Sequence, residues 1–373
     1  MSNPAVWQFS LGGMHALAWA LLLLLALFVF SRGITLRKLT VVTLLATLVL
    51  VMLGAYVRLT DAGLGCPDWP GCYGKLSPSQ ATEEIQAARS VAPDGPVSLP
   101  KAWREMAHRY LASLVGVMVL AIAIQTLTMR RRKFADPSDS TAKIGLPLLI
   151  VVVVALQGLL GKWTVTLLLQ PAIVTLHLLG GMTLVALLAW LCARHLRLSG
   201  GPASILREVR WCAAFGLIVL GMQIALGGWV STNYAALACV DFPTCHGSWK
   251  PAMDFGHGFQ FWRELGLTAD GLPLSNEALN AIHWTHRLGA LVTFVTLFYV
   301  AHRARQVRNL RGISVLMLGL LMVQVTLGIV NVLGSLPLPV AVAHNGVAAL
   351  LLVALVMLHF AACSPSRSPL FGN

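Results

Sequence analysis

Residues 41–54 read VVTLLATLVLVMLG and contain no charged side chain. With their flanks they reach the roughly 20 residues that an α-helix needs to cross a bilayer. The runs 16–30 and 144–160 have the same character, and across the 373 residues 57% are hydrophobic and only 11% charged. Soluble domains carry about 25% charged residues. Repeated apolar runs of this length therefore predict an all-α polytopic membrane protein, with lipid as its surroundings.

Apolar segments separated by polar ones predict the number of membrane-spanning helices. Nine segments of the chain qualify. They cover roughly 11–30, 39–59, 104–128, 144–166, 172–193, 211–231, 280–301, 313–333 and 339–361.

The basic residues predict the orientation of these spans. The net charge is +13, but 17 of the 27 lysines and arginines lie in short clusters at 31–38, 129–143, 194–210 and 301–312 and at Arg367. Clusters on alternate connections mark the cytoplasmic side, and they give no reason to expect nucleic-acid binding. The long segments 60–103 and 232–279 are then periplasmic, which predicts a multi-pass protein of a bacterial inner membrane.

An internal repeat organises the chain. The segment CPDWPGCYG at 66–74 aligns with CVDFPTCHG at 239–247. The repeat predicts two tandem four-helix transmembrane bundles related by a pseudo-twofold axis, within domains 1–38 (an extra N-terminal helix and cytoplasmic loop), 39–200 and 201–373. Further matched residues are Gly54 with Gly227, Tyr56 with Trp229, His108-Arg109 with His286-Arg287, and Gln157, Gly161 and His177 with Gln324, Gly328 and His344.

The repeated histidines are the strongest candidates for a functional site, because ionisable side chains inside a membrane are costly. In each half two histidines fall at a similar predicted depth near the outer face, where two imidazoles can bind one haem iron from opposite sides. A single histidine of this kind usually has a structural role, and zinc or copper would need three or four ligands. The predicted iron ligands are His108 with His177 and His286 with His344.

Residues beside the histidines suggest how a haem is accommodated. Arg109 and Arg287 are candidate partners for haem propionates. Small residues on the same helix faces, among them Gly116 and Gly289, leave room for a macrocycle.

The two halves differ at one informative position. Glu105 lies three residues before His108 and shares its helix face, whereas the matching residue in the second half is His283. A carboxylate beside a haem can accept a proton during catalysis. The alternative is a structural carboxylate that pairs with Arg104 or Arg109. The asymmetry predicts that the first half performs chemistry and the second holds a permanent cofactor.

Two close cysteine pairs lie in the outer segments. Cys66 and Cys72, like Cys239 and Cys245, enclose five residues that include a proline. An oxidising compartment favours a disulfide in each loop, acting as a structural clamp or as a redox-active group. The spacing does not match Cys-x-x-Cys-His, so covalent haem attachment is not predicted.

These motifs resemble the haem A synthase family. The segments Gly63-Leu-Gly-Cys66-Pro-Asp-Trp-Pro-Gly-Cys72 and Glu105-Met-Ala-His108-Arg109 carry the resemblance, with His177, His286-Arg287 and His344. It covers nearly all of the chain after about residue 39. The additional N-terminal span and the second cysteine pair depart from the simplest members.

The resemblance implies an oxidoreductase that converts the C8 methyl of haem O to a formyl group through a hydroxymethyl intermediate. The product, haem A, serves cytochrome c oxidase assembly, and haem O synthase (protohaem farnesyltransferase) would deliver the substrate. Association into a homo-oligomer stays open. By this resemblance the substrate haem takes His108 and His177, Glu105 is catalytic, Cys66–Cys72 is a disulfide, and the cofactor haem b takes His286 and His344.

Two other functions fit parts of the pattern. A dihaem b-type electron-transfer cytochrome would explain two bis-histidine sites, but not Glu105 opposite His283 or the long cysteine-bearing loops. A haem carrier would need neither a second tight site nor the repeat.

Overall fold

The computed structural model describes residues 33–133, 144–196, 198 and 203–364. The span predicted at 11–30 lies outside the described residues. Within them the fold is all-helical, with short 3₁₀ turns and without strands, which confirms the predicted fold class. The ten α-helices are α1 (Leu36–Leu59), α2 (Thr82–Val91), α3 (Leu99–Lys133), α4 (Gly145–Thr166), α5 (Pro171–His195), α6 (Ala203–Thr232), α7 (Phe255–Gly258), α8 (Asn276–Arg305), α9 (Arg311–Leu333) and α10 (Leu338–Cys363).

Seven of these helices are long and apolar enough to cross a membrane, so the protein is a multi-pass membrane protein. They are α1, α3, α4, α5, α6, α9 and α10. Helix α8 corresponds to the span predicted at 280–301 and is 30 residues long. It is less apolar than the seven because its N-terminal half carries His283, His286 and Arg287.

Local signals explain where several helices begin. The Thr35 hydroxyl accepts a hydrogen bond from the backbone N–H of Lys38 at the start of α1. Ser275 caps α8 by accepting from the N–H of Ala278. Proline occupies the first turn of α5 and of α10, where no intrahelical N–H bond is lost.

The described residues fall into two compact units that divide between Leu169 and Gln170. In the first unit, α3 packs against α1 and α4. In the second, α6 packs against α5, α8 and α10, and α9 packs against α8 and α10. Helix α5, predicted to close the unit 39–200, therefore packs with the second unit, because its buried face meets α6 and α10. The sequence repeat reflects the order of the helices along the chain. The division into compact units depends on which helix faces are buried against each other.

The repeat extends to the backbone conformation. Tyr73 and His246 occupy matching loop positions, and each has a φ of 53°. Leu169 and Leu336, each just before the last helix of its half, have φ values of 60° and 61°. Left-handed backbone is uncommon for residues other than glycine. Its recurrence at matched positions supports the duplication.

Candidate functional site

Two of the predicted histidines rest on glycines of a neighbouring helix. On α1, a Cβ added to Gly54 would lie 3.0 Å from Cε1 of His108 on α3. On α6, a Cβ added to Gly227 would lie 3.1 Å from Cε1 of His286 on α8. Only glycine leaves each imidazole in contact with the backbone of the facing helix. The repeat glycines therefore form a cradle for these two rings.

His344 on α10 has the same kind of support. A Cβ on Gly328 of α9 would lie 3.2 Å from its Cε1. The Gln324 amide nitrogen lies 3.2 Å from Nε2 of His344, whereas the buried Nδ1 has no hydrogen-bond partner among the described residues. The repeated Gln and Gly therefore both contact this ring.

The structure brings the second predicted histidine pair into one compact unit. His286 on α8 and His344 on α10 both lie in the second unit, and α9 packs against both of their helices. His108 belongs to the first unit and His177, on α5, to the second. The joint ligation of one iron by His108 and His177 stays a prediction.

Gln223 on α6 is a site residue that the sequence analysis missed. Its amide nitrogen lies 3.0 Å from Nδ1 of His286 and 3.1 Å from the His286 carbonyl oxygen. The available signal was its position one helical turn before Gly227, on the same face. A Cβ on Gly289 would collide with the Gln223 side chain, so this glycine, predicted to make room for a macrocycle, accommodates Gln223.

Two hydrogen-bonding partners hold the carboxylate of Glu105. Its side chain is buried, with Oε2 accepting a 2.9 Å hydrogen bond from the Cys66 N–H and Oε1 lying 2.5 Å from the Arg109 guanidinium. The pairing with Arg109 is the structural alternative that the sequence left open. Glu105 thus joins the loop that contains Cys66 to the helix that carries His108.

His283 takes the same place in the second unit. Its Nδ1 accepts a 3.3 Å hydrogen bond from the Cys239 N–H, and its Nε2 lies 3.2 Å from Nε of Arg287. The position that differs between the halves therefore keeps one structural function, anchoring the first cysteine of each loop. Only the chemistry of the anchor differs, a carboxylate in one unit and an imidazole in the other.

Both predicted propionate-binding arginines contact loop carbonyl groups. Arg109 donates to the Asp68 carbonyl at 2.9 Å and to the Gly71 carbonyl. Arg287 donates to the carbonyls of Thr244 at 2.7 Å and Cys239 at 2.9 Å. These contacts hold the cysteine loops on the helices. A guanidinium has five N–H donors, so donors remain, and propionate binding stays a prediction.

Each cysteine pair forms a disulfide, Cys66–Cys72 in the loop after α1 and Cys239–Cys245 in the loop after α6. An aspartate at the same repeat position in each loop accepts hydrogen bonds from the backbone N–H groups that follow the second cysteine. Asp68 accepts from the N–H groups of Tyr73 and Gly74, both at 2.7 Å.

In the second loop, Asp241 accepts from the Thr244 hydroxyl and from the N–H groups of His246 and Gly247. These hydrogen bonds, the Thr244 bond foremost, hold the pKa of the Asp241 carboxyl well below its usual value. The identical aspartate of the repeat is therefore explained by the loop fold.

The described side chains fit a bis-histidine haem. The imidazoles of His286 and His344 each pack against a glycine of a neighbouring helix. Nδ1 of His344 is buried and has no hydrogen-bond partner among the described residues. A bis-histidine haem takes two axial imidazoles from the protein. No group of three or more His, Cys, Asp or Glu residues placed to hold a metal ion occurs in the described part of the chain.

Residues 37–356 match the COX15-CtaA family, described as cytochrome oxidase assembly protein. The chain belongs to this family. The match spans the helices that carry all four repeated histidines and both disulfide loops.

Individual relatives agree with the family. The chain is 42% identical over 321 residues to a protein of Shewanella oneidensis named heme A synthase, covering 86% of this chain and 94% of the relative. It is 30% identical over 342 residues to the heme A synthase of Paracoccus denitrificans, covering 84% of each chain. It is 27% identical over 326 residues to that of Bacillus licheniformis, covering 83% of this chain and 90% of the relative.

Proposed function

We propose that this protein is a haem A synthase, which oxidises the C8 methyl of haem O to a formyl group through a hydroxymethyl intermediate. The glycine-backed imidazoles carry the proposal, because the matched contacts of His108 with Gly54 and of His286 with Gly227 give both halves a rigid candidate ligand. Family membership and relatives named heme A synthase support the choice of reaction.

His286 and His344 are the proposed axial ligands of a haem b cofactor in the second unit. When bound, haem b supplies one-electron transfer. The chain itself orients the two rings, because Gly227 and Gly328 let the imidazoles of His286 and His344 pack against helix backbones. Arg287, next to His286, has donors left for a propionate after its bonds to the loop.

His108 and His177 are the proposed ligands of the substrate, haem O. With water as the oxygen source, the conversion adds one oxygen atom to the former methyl group and releases four electrons and four protons in two steps, the electrons going to an acceptor outside this chain. Glu105 is the proposed proton acceptor, because it shares a helix face with His108 and is fixed by Arg109 and Cys66. The substrate's propionates would meet Arg109.

The proposed location is a bacterial inner membrane. The seven apolar helices require a membrane, and the positive-inside rule places the two disulfide loops in the periplasm and the basic connections in the cytoplasm. Haem O synthase would supply the substrate in the same bilayer, and haem A would pass to cytochrome c oxidase assembly.

A haem inventory tests the proposal. The protein is expressed in a host that makes haem O but no haem A, purified, and its extracted pigments are identified by chromatography and mass. Haem A or its hydroxymethyl precursor beside haem b is the expected result. Haem b alone, with haem O available, would show instead an electron-transfer cytochrome.

A further inference from the structure

The imidazole of His286 is contacted by an amide on a neighbouring helix. The Gln223 amide lies 3.0 Å from Nδ1, and its own Oε1 is buried without a hydrogen-bond partner among the described residues. Gln223 and His286 lie on α6 and α8, which pack together within the second unit. The contact therefore lies at the interface between two packed helices.

Ligand chemistry determines which way the amide must point. An imidazole that binds iron through Nε2 carries its proton on Nδ1, so its neighbour must accept a hydrogen bond. The two ends of a glutamine amide exchange by a half-turn about the last side-chain bond. Oε1 of Gln223 has no bond to lose in that turn. Nε2 gives up its bond to the His286 carbonyl oxygen, and the same turn would bring Oε1 to the 3.1 Å position beside that oxygen, so the amide must also shift away from it.

We infer that Gln223 is a positioning residue for His286, accepting a hydrogen bond from Nδ1–H and so increasing the electron donation of the imidazole to haem iron. The inference rests on the proposed role of His286 as a ligand of haem b. A stronger donor ligand stabilises the ferric state, because the hydrogen bond raises the basicity of the imidazole. Gln223 therefore lowers the reduction potential of the cofactor.

The sequence restricts this device to one half. Leu50 stands four residues before Gly54, where Gln223 stands four residues before Gly227. Three residues after the histidine, Gly289 receives the Gln223 side chain, whereas Leu111 stands at the matching position after His108. A leucine cannot supply an amide, and the glycine that admits Gln223 is absent as well. The two differences occur together, as expected of a cofactor site distinguished from a substrate site.

Redox titration of haem b in the purified protein tests the inference. Gln223→Met keeps the side-chain length without the amide, and the midpoint potential should shift to a more positive value. Gln223→Glu supplies a stronger acceptor and should shift it to a more negative value. Gly289→Ala places a Cβ where the amide lies, so it should shift the potential in the same direction as Gln223→Met. The double variant should add no further shift, because both changes remove one interaction.

Two controls separate the inference from the proposed function. Met222→Leu changes the residue just before Gln223 on α6. This side chain is exposed, so the variant should leave the potential unchanged. His286→Ala should remove haem b; if it retains haem b at wild-type content, the proposed ligand and this inference both fail. If His286→Ala loses haem b but Gln223→Met, Gln223→Glu and Gly289→Ala all keep the wild-type potential, the positioning role alone is overturned. If Gln223→Met binds no haem, the midpoint potentials of Gln223→Glu and Gly289→Ala decide whether the positioning role holds.

Discussion

At the scale of single residues, Glu105 and His283 show that one position can keep its structural function while its chemistry changes. Each accepts the N–H of the first cysteine in its loop and contacts the arginine four residues further on. Histidine at this position is therefore compatible with an anchored loop. The carboxylate of Glu105 is then unnecessary for anchoring, which strengthens its proposed role in proton transfer.

Replacing Glu105 with histidine separates anchoring from catalysis. Glu105→His should keep the Cys66 hydrogen bond and the binding of haem O. Conversion to haem A should fall about 10²–10⁴-fold, the usual contribution of a positioned acid or base. The measurement is haem A formed per bound haem O over time, with Glu105→Ala as the variant that loses both functions. Wild-type conversion by Glu105→His would reduce Glu105 to a loop anchor.

The glycine cradle makes a second prediction about single residues. Gly227→Ala places a methyl group 3.1 Å from Cε1 of His286, and overpacking of this kind costs about 1–3 kcal/mol. The purified variant should lose haem b affinity by about tenfold or more. Gly221→Ala is the matched control, because a Cβ at Gly221 on the same helix meets nothing within 4 Å. Equal haem content in the two variants would contradict the cradle.

At the scale of elements, each disulfide loop is a small folded unit tied to one histidine-bearing helix. In the second loop the disulfide closes the chain, Asp241 accepts hydrogen bonds from the two backbone N–H groups that follow Cys245, and Arg287 of α8 donates to the loop carbonyls. The loop and the helix are therefore expected to respond together to changes in either.

Asp241→Asn tests how the loop is held. Asparagine retains one acceptor oxygen but presents an amide to a second donor, so hydrogen exchange at residues 239–247 should be at least several-fold faster near pH 7. The folded-state pKa of Asp241 lies below its unfolded value, so its stabilisation is present above the unfolded pKa of 3.8 and is lost as pH falls below it.

The pH dependence gives the internal check on that experiment. After correction for intrinsic exchange, wild-type protection of the loop should be constant from pH 7 to about pH 5 and should decline only at lower pH. The Asp241→Asn loop should show no such acid-dependent loss. A wild-type loop that opens between pH 7 and pH 5 would contradict the assignment to Asp241.

At the scale of the whole molecule, the duplication predicts two haem sites with different tasks. His286→Ala or His344→Ala should strip haem b from the purified protein. His108→Ala or His177→Ala should keep haem b but bind no haem O, because the substrate ligands lie elsewhere. Pigment extraction from each variant measures both outcomes, and His302→Ala, on the same helix as His286 but outside the repeat, is the control. Loss of haem b from every histidine variant, the control included, would point to misfolding rather than to separate sites.

The sequence alone determined the helices, the duplication and the repeated histidines. Hydropathy and residue spacing are local properties of the chain. The described spans, and the glycines and histidines that match between the two halves, could therefore be predicted before any contact was known. Only the tertiary structure decided that α5 packs with the second unit, that Arg109 and Arg287 bind loop carbonyls, and that Gln223 meets His286. Each of these joins residues distant in sequence, and such contacts depend on which helix faces bury against each other, a choice that composition and periodicity leave open.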